Sequence, residues 1–364
     1  MNIAHYCKAQ RDFARENSGH IKDFSVFDFN YIPSEPFMRE ESKHLIDEML
    51  KFELSGIPSN QAVIGSKGSG KTLILKYLQR LMGQQTDLKV LYANCREHNT
   101  SFKIFAHFLE VQARGASLSE LYTKFCNVFT GKTVVVLDEV DLMSPKDRRK
   151  DILYFLSRSE NPYMVIMLSN NFRLLKDLDA PTRSSLQPMN VYFKNYDAEQ
   201  MNLILQNRAQ QGLANWDMAS LSRIAALTTK KTNGDARVAI KTLYYSVTEG
   251  HADIEACFDK ARKNIIVDMI NDLSDPTLMI LQAVGTSRSG YAKDIYKKYT
   301  AISLSHNDRP FSYVHFYSNL SYLQSMGLVA LLATKINRAY TNRVMLTFDE
   351  PFLEPIFKMR FGQV

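Results

Sequence analysis

The stretch that most constrains this chain is Gln61-Ala62-Val63-Ile64-Gly65-Ser66-Lys67-Gly68-Ser69-Gly70-Lys71-Thr72. The apolar run from Ala62 to Ile64 reads as a buried strand, and G-x-x-x-x-G-K-T follows it directly. Gly65 and Gly70 permit backbone turns that a side chain blocks. Successive N–H groups of Ser66, Lys67, Gly68 and Ser69 can then point inward as an anion cradle. Ile74, Leu75, Leu78, Leu81 and Met82 recur afterwards at helical spacing. Strand, glycine loop and helix N-terminus in that order make a site for the phosphates of a nucleotide. Lys71 is expected at the β- and γ-phosphates, and the Thr72 hydroxyl on Mg²⁺.

A second motif supplies the chemistry. Thr133-Val134-Val135-Val136-Leu137 is an apolar strand that runs into Asp138-Glu139-Val140-Asp141. Asp138, at the strand's end, is expected to hold Mg²⁺ through water. Glu139 is expected to orient and deprotonate an attacking water. Acids also favour helix N-termini, and the phosphate loop earlier in the chain is what selects the catalytic reading. Residues 163–168 form a further apolar strand that ends in Ser169-Asn170-Asn171. Asn170 either faces the ligand crevice, at the γ-phosphate or the water, or simply serves the turn. Asn233-Gly234-Asp235-Ala236-Arg237 opens a helix. A cation in a first turn is unfavourable unless an anion meets it, so Arg237 points to a phosphate.

The remaining elements follow from periodicity and caps. Helices are expected from Arg39 onward to Phe52 and over residues 100–112. Another starts at Ser117, whose partner Glu120 completes a capping box. Arg114-Gly115-Ala116 breaks the two helices apart, as Gly and Ser at a helix–helix turn explain. Residues 195–273 read as all-helical. Beyond them, Ser274-Asp275-Pro276 starts one helix, residues 292–299 form a second, and Pro310 begins a third. That third helix has Val314, Phe316, Leu320, Leu323 and Met326 as its apolar set and Gly327 as its stop. Strands at 328–332 and 343–348 flank a basic turn. Three helices and a basic hairpin describe a winged helix. Ser312, Tyr313 and His315 are free to face a groove, with Lys335, Arg338 and Arg343 at the wing.

Charge agrees with a nucleic-acid partner. The chain carries a net +7, and between Thr286 and Arg343 eight Lys or Arg stand against two acids. The four cysteines lie far apart, with no zinc-like spacing. No apolar run approaches membrane-spanning length. The expected location is therefore cytoplasmic, at the nucleoid, with no membrane partner.

Taken together, these motifs resemble the AAA+ replication initiators of the origin-recognition and cell-division-control family in its compact archaeal form. The resemblance runs from about Phe29 to Phe348. It is carried by Tyr31-Ile32-Pro33 with Arg39-Glu40, the phosphate loop, Asn94-Cys95-Arg96, Arg114-Gly115-Ala116-Ser117-Leu118 and Leu137-Asp138-Glu139-Val140-Asp141. Leu168-Ser169-Asn170, Leu178-Asp179, Ser184-Ser185-Leu186 and Gly234-Asp235-Ala236-Arg237 complete it. The resemblance implies an α/β fold with a parallel sheet of order 5-1-4-3-2, a helical lid and a winged helix. The implied division is 1–194, 195–273 and 274–364, and the stretch at Arg114-Gly115-Ala116 is implied to reach DNA where the residues alone also suit a plain turn. ATP or ADP with Mg²⁺ is the implied cofactor. Asn170 and Arg237 become its two sensors, and the adenine lies near Tyr31, Ile32 and Arg39, with Tyr196 and Arg208 also at the nucleotide. One departure concerns the Asp-Pro-Arg-Val of the family, which is here the shifted Asp179-Ala180-Pro181-Thr182-Arg183. Arg183 is thus either an arginine finger for a neighbour or a surface arginine.

The function so implied is ATP-controlled recognition of double-stranded origin DNA and loading of the replicative helicase, with slow hydrolysis and paralogous initiator subunits as further partners. Two other readings stay open. One is a AAA+ remodeller or mobile-element ATPase whose winged helix docks protein. The other is a DNA-binding regulator that holds ATP without turnover.

Overall fold

A computed structural model describes His5, Cys7, Lys8 and residues 20–362, apart from Ala113, Pro145, Lys146, Arg148, Arg173, 250–252, Asn337 and Arg338. The side chains of Asp177, Lys335, Ile336, Ala339, Tyr340, Thr341 and Glu350 also lie outside the description. The chain divides into two compact units, Ser18–Ala236 and Arg237–Val364.

The first unit is built on a parallel sheet of β1 (Gln61–Gly65), β2 (Lys89–Asn94), β3 (Thr133–Asp138), β4 (Tyr163–Ser169) and β5 (Met189–Phe193). Its order is β2-β3-β4-β1-β5, the expected 5-1-4-3-2 viewed from the other edge. Every residue of β1, β3 and β4 is buried. Strands covered on both faces need apolar side chains on both, which is why these three read as continuous apolar runs. Period-two alternation then sorts them into two cores. Ile64, Val135, Leu137, Val165 and Met167 face one core, and Val63, Val134, Val136, Ile166 and Leu168 the other. Helices α1 (Glu40–Ser55) and α2 (Lys71–Gln85) cover the second face, and α3 (Ser101–Phe108), α4 (Leu118–Val128) and α5 (Asp151–Ser157) the first.

Local chemistry sets the ends of these helices. Gly56 stops α1 in the left-handed conformation. The capping box at Ser117 and Glu120 is present as expected. The helix expected over 100–112 ends earlier, at Phe108, because Glu110 turns to positive φ. Helix α6 (Ala180–Leu186) precedes β5. Helices α7 (Ala198–Gly212) and α8 (Met218–Thr232) follow it, with Asp197 and Gln200 boxing the start of α7.

The second unit contains α9 (Ala236–Thr248) from Arg237 onward, and α10 (Ile254–Asn271). A winged helix follows: α11 (Asp275–Thr286), α12 (Ala292–Ser305), α13 (Tyr313–Ser325) and the antiparallel pair β6 (Val329–Ile336) and β7 (Ala339–Leu346). Tyr291 bridges Arg343, which gives the short third strand such a module places between its first two helices. Tyr299, Phe316, Leu320 and Leu323 are fully buried at its centre. The hairpin is longer than the expected strands, because β-pairing continues to Ile336 and Ala339. A last helix, α14 (Leu353–Phe361), was not foreshadowed by any motif. Arg360 ties it down by an ion pair to Asp275 at 2.7 Å and a bond to the Leu273 carbonyl at 2.7 Å.

Two expectations about α13 are corrected. It begins at Tyr313, not Pro310, and Ser312 caps it by accepting from the His315 N–H at 3.4 Å. Val314 does not belong to the core set, since its side chain is 77% exposed.

Candidate functional site

The sheet brings the carboxyl ends of its strands to one edge. Asn94 pairs with Asp138 and Ile64 with Ser169, so the phosphate loop, Asp138 and Asn170 meet there, where open α/β sheets bind ligands. Gly65 has to be glycine, because a Cβ would come 2.6 Å from the Phe193 carbonyl oxygen. Gly70 takes a left-handed φ of 87° and caps α2 without a side chain. The first N–H groups of that helix are therefore suited to an anion.

Lys71 is 7% exposed. Its Nζ donates to the Gly65 and Ser66 carbonyls at 2.8 and 2.9 Å and to Asn170 Oδ1 at 2.9 Å. The lysine and the first sensor expected from sequence thus touch across 99 residues of chain. Thr72 Oγ1 donates to Asp138 Oδ2 at 2.7 Å. A hydroxyl and a carboxylate side by side are the hard oxygen donors that Mg²⁺ takes together with phosphate. Among the described residues no cluster of three or more His, Cys, Asp or Glu could hold a metal.

Glu139 follows in the left-handed region, with φ 55° and ψ 43°, a conformation that a glutamate adopts at a cost. Burial raises its pKa first, and the neighbouring Asp138 charge adds to the rise, while Lys67 and Arg96 pull it back. A carboxylate held above its usual range is a better proton acceptor near neutrality.

Some residues at the site carried no signal in the motifs. Tyr92, on β2, donates to Asp138 Oδ2 at 2.8 Å, and its burial, with that carboxylate beside it, pushes the phenol well above its usual range. Ser169 donates to Asp141 Oδ1 at 2.6 Å and links the acidic motif to the end of β4. Ser66 bonds Asn195. A Cβ on Gly68 would meet Asp235, and one on Gly70 the Tyr196 hydroxyl. The Ala236 N–H reaches the Gly68 carbonyl at 3.4 Å. Only a solved packing shows such neighbours, though the glycines were the available hint.

The other expected residues have the following neighbours. Arg39 donates to the Ser69 carbonyl at 2.8 Å and the Lys194 carbonyl at 2.6 Å. Its guanidinium also lies 4.6 Å from the Tyr196 ring centre, so it clamps the loop to the exit of β5. Arg208 donates to the Val26, Asp28 and Tyr31 carbonyls. Burial brings its pKa down to about 10, so it stays cationic at neutral pH. Tyr31 bonds Gln211 through its hydroxyl, and Ile32 beside it is half-buried. Together these contacts strap residues 26–32 onto α7. Arg237 lies in the first turn of α9, with Nη2 3.7 Å from Met269 Sδ. Arg183 is exposed on α6.

Among the expected DNA contacts, Arg114, Ser312, Tyr313, His315 and Arg343 are all exposed. Arg338 and the Lys335 side chain lie outside the described residues. Tyr313 is fixed edge-on against Tyr296 at 5.0 Å, and His315 against Phe311 at 4.3 Å.

Strand order, phosphate loop and acid pair define a AAA+ phosphate-loop ATPase fold, and residues 58–173 match the family model described as AAA domain. Within that class the chain is 28% identical over 358 residues to ORC1-type DNA replication protein 3 of Sulfurisphaera tokodaii, covering 90% of this chain and 91% of that protein. It is 26% identical over 324 residues to the ORC1-type DNA replication protein of Cenarchaeum symbiosum, covering 79% and 78%. The Aeropyrum pernix ORC1 protein, solved in complex with DNA, superposes with TM-score 0.67 at 23% identity, over 94% of this chain and 98% of that one. The Aeropyrum pernix ORC2 protein, solved as ADPNP–ADP complexes, gives 0.63 at 23% identity, over 95% and 100%; both share the fold. The chain is similar to archaeal ORC1-type DNA replication proteins, the resemblance that its motifs carry. Among the described residues no helix is long and apolar enough to cross a membrane.

Proposed function

We propose that this chain is an ATP-controlled replication initiator. It binds ATP in its first unit and duplex origin DNA through its second, and it helps to load the replicative helicase, with slow hydrolysis as the switch. The observation that carries the reading is that one chain holds both a complete phosphate-loop constellation, Lys71–Asn170 and Thr72–Asp138, and a winged helix. The relatives named as replication proteins support it, as does the similar fold solved on DNA.

On this reading Lys71 exchanges its loop carbonyls for phosphate oxygens, and Thr72 and Asp138 hold Mg²⁺, which supplies charge neutralisation when bound. Glu139 takes the proton of the attacking water, and Asn170 orients that water. Arg237 senses the γ-phosphate from the helical segment 195–273, the lid of a functional division into 1–194, 195–273 and 274–364. Tyr31 and Ile32 line the adenine side. Arg183 serves a neighbouring initiator subunit as an arginine finger. On DNA, Tyr313 and His315 face the major groove, Lys335, Arg338 and Arg343 line the wing, and Arg114 makes a second contact from the first unit. The test is anisotropy titration of the full chain with labelled duplexes from its own replicon, in ATP and in ADP. Equal weak binding to every duplex would sink the reading.

One observation favours a second reading. Helix α13 contains no Lys, Arg, Asp or Glu, and an uncharged face also suits protein docking. A AAA+ remodeller with that face would bind a partner protein and no duplex.

A further inference from the structure

The outward face of α13 has an unusual chemistry for a groove-reading helix. Phe316, Leu320 and Leu323 point into the core. Opposite them stand Val314, Ser318 and Ser321. Ser318 Oγ donates to the Val314 carbonyl and Ser321 Oγ to the Tyr317 carbonyl, both at 3.2 Å. These hydroxyl protons are turned back onto the helix, leaving small surfaces that let a second body approach closely. Val314 projects from that surface in the first turn, almost fully solvated. An apolar, β-branched residue there serves neither helix propensity nor the core.

We infer that Val314 reads the C5-methyl group of a thymine, so that the site recognised by α13 is centred on an A·T pair rather than on guanine. This rests on the duplex-binding reading above. Guanine is most often recognised by a bidentate Arg or Lys on its O6 and N7, and α13 has neither. The group in the major groove that takes an apolar contact is the thymine methyl. Val314 is the exposed aliphatic side chain of this helix that can offer one. The neighbouring side chains Tyr313 and His315 are each held by an aromatic ring, which fixes the first turn that carries the valine.

The experiment selects full-length protein with ATP against a randomised duplex pool, then replaces single thymines of the selected site with uracil, which removes only the methyl. An A·T pair is expected at the central selected position. Uracil there should weaken binding about fourfold, the value of one buried methyl group. Val314→Ala should weaken thymine binding similarly and become indifferent to the uracil exchange. It should fold normally, since the side chain is exposed and alanine favours helix. Selection of G·C throughout, uracil tolerated at every thymine, or Val314→Ala keeping full methyl discrimination each overturns the inference alone. Failure to bind any duplex overturns the initiator reading and this inference with it.

Discussion

The two candidate functional surfaces of this chain are built in opposite ways. At the phosphate loop, polar groups are buried and committed. Lys71 bonds Asn170, and Thr72 and Tyr92 both bond Asp138, behind a loop whose glycines admit no side chain. On α13 the polar groups are exposed, and its serines bond their own helix. A buried network acts at low dielectric, where each bond is strong and its loss severe. A solvated face gains its selectivity from shape and a few methyl groups, in small increments. Single substitutions in the first region should therefore act as near-complete switches, and those in the second as modest shifts.

The sharpest break in that comparison is Glu139→Gln. Hydrolysis should fall about 10²–10⁴-fold with ATP affinity held, read by steady-state turnover beside nucleotide titration; unchanged turnover removes Glu139 from the mechanism. Lys71→Ala should lower ATP affinity on the order of 100-fold, since it removes charge-assisted bonds to phosphate, and calorimetry would register it. Arg208→Met tests whether that arginine is a strap or a nucleotide contact. A strap predicts a loss of about 1–3 kcal/mol in the urea transition from buried carbonyls left unpaired, with ADP affinity little changed. On the second surface, Arg343→Ala should reduce the salt slope of DNA binding by about 1 and weaken all sequences alike. Arg114→Ala should do the same only if the first unit touches DNA. The smallest effect concerns pH. As the proposed base Glu139 must be ionised, and its pKa is raised, so the acid limb of turnover should lie above the ordinary glutamate range. Arg96 opposes that rise, and Arg96→Ala should shift the limb to still higher pH. A shift downward contradicts the assignment of the base.

What could be read in advance follows the same divide. Glycine loop, apolar strands and capping boxes are local, because backbone geometry and period-two burial write themselves into neighbouring residues. The sheet order came with the resemblance that those motifs carry. Tyr92 was not legible, since its bond to Asp138 spans 46 residues and arises from strand register. The resemblance implies Arg208 at the nucleotide, and its contacts with carbonyls about 180 residues away arise from packing that no local motif carries. Val314 fitted an apolar period and proved to face outward, because a single valine at a helix start is too short a pattern to fix a face. The Pro310 start failed for a related reason. Proline favours a first turn, but Ser312 offered a better cap three residues before His315.

Glu139 carries a further consequence. Its left-handed backbone and its half-buried charge are two separate strains at the one residue proposed as the base. The raised pKa means that the folded state disfavours the ionised form. That penalty is absent at low pH, grows as pH rises through the unfolded value, and is complete above the folded one. Glu139→Asn removes both strains, since asparagine tolerates the left-handed region and carries no charge. The inactive protein should then melt higher than the active one at neutral pH. A lineage released from the need to turn over ATP would drift toward asparagine or glycine here, and the identity of this single residue would serve as a fossil record of when the catalytic requirement lapsed.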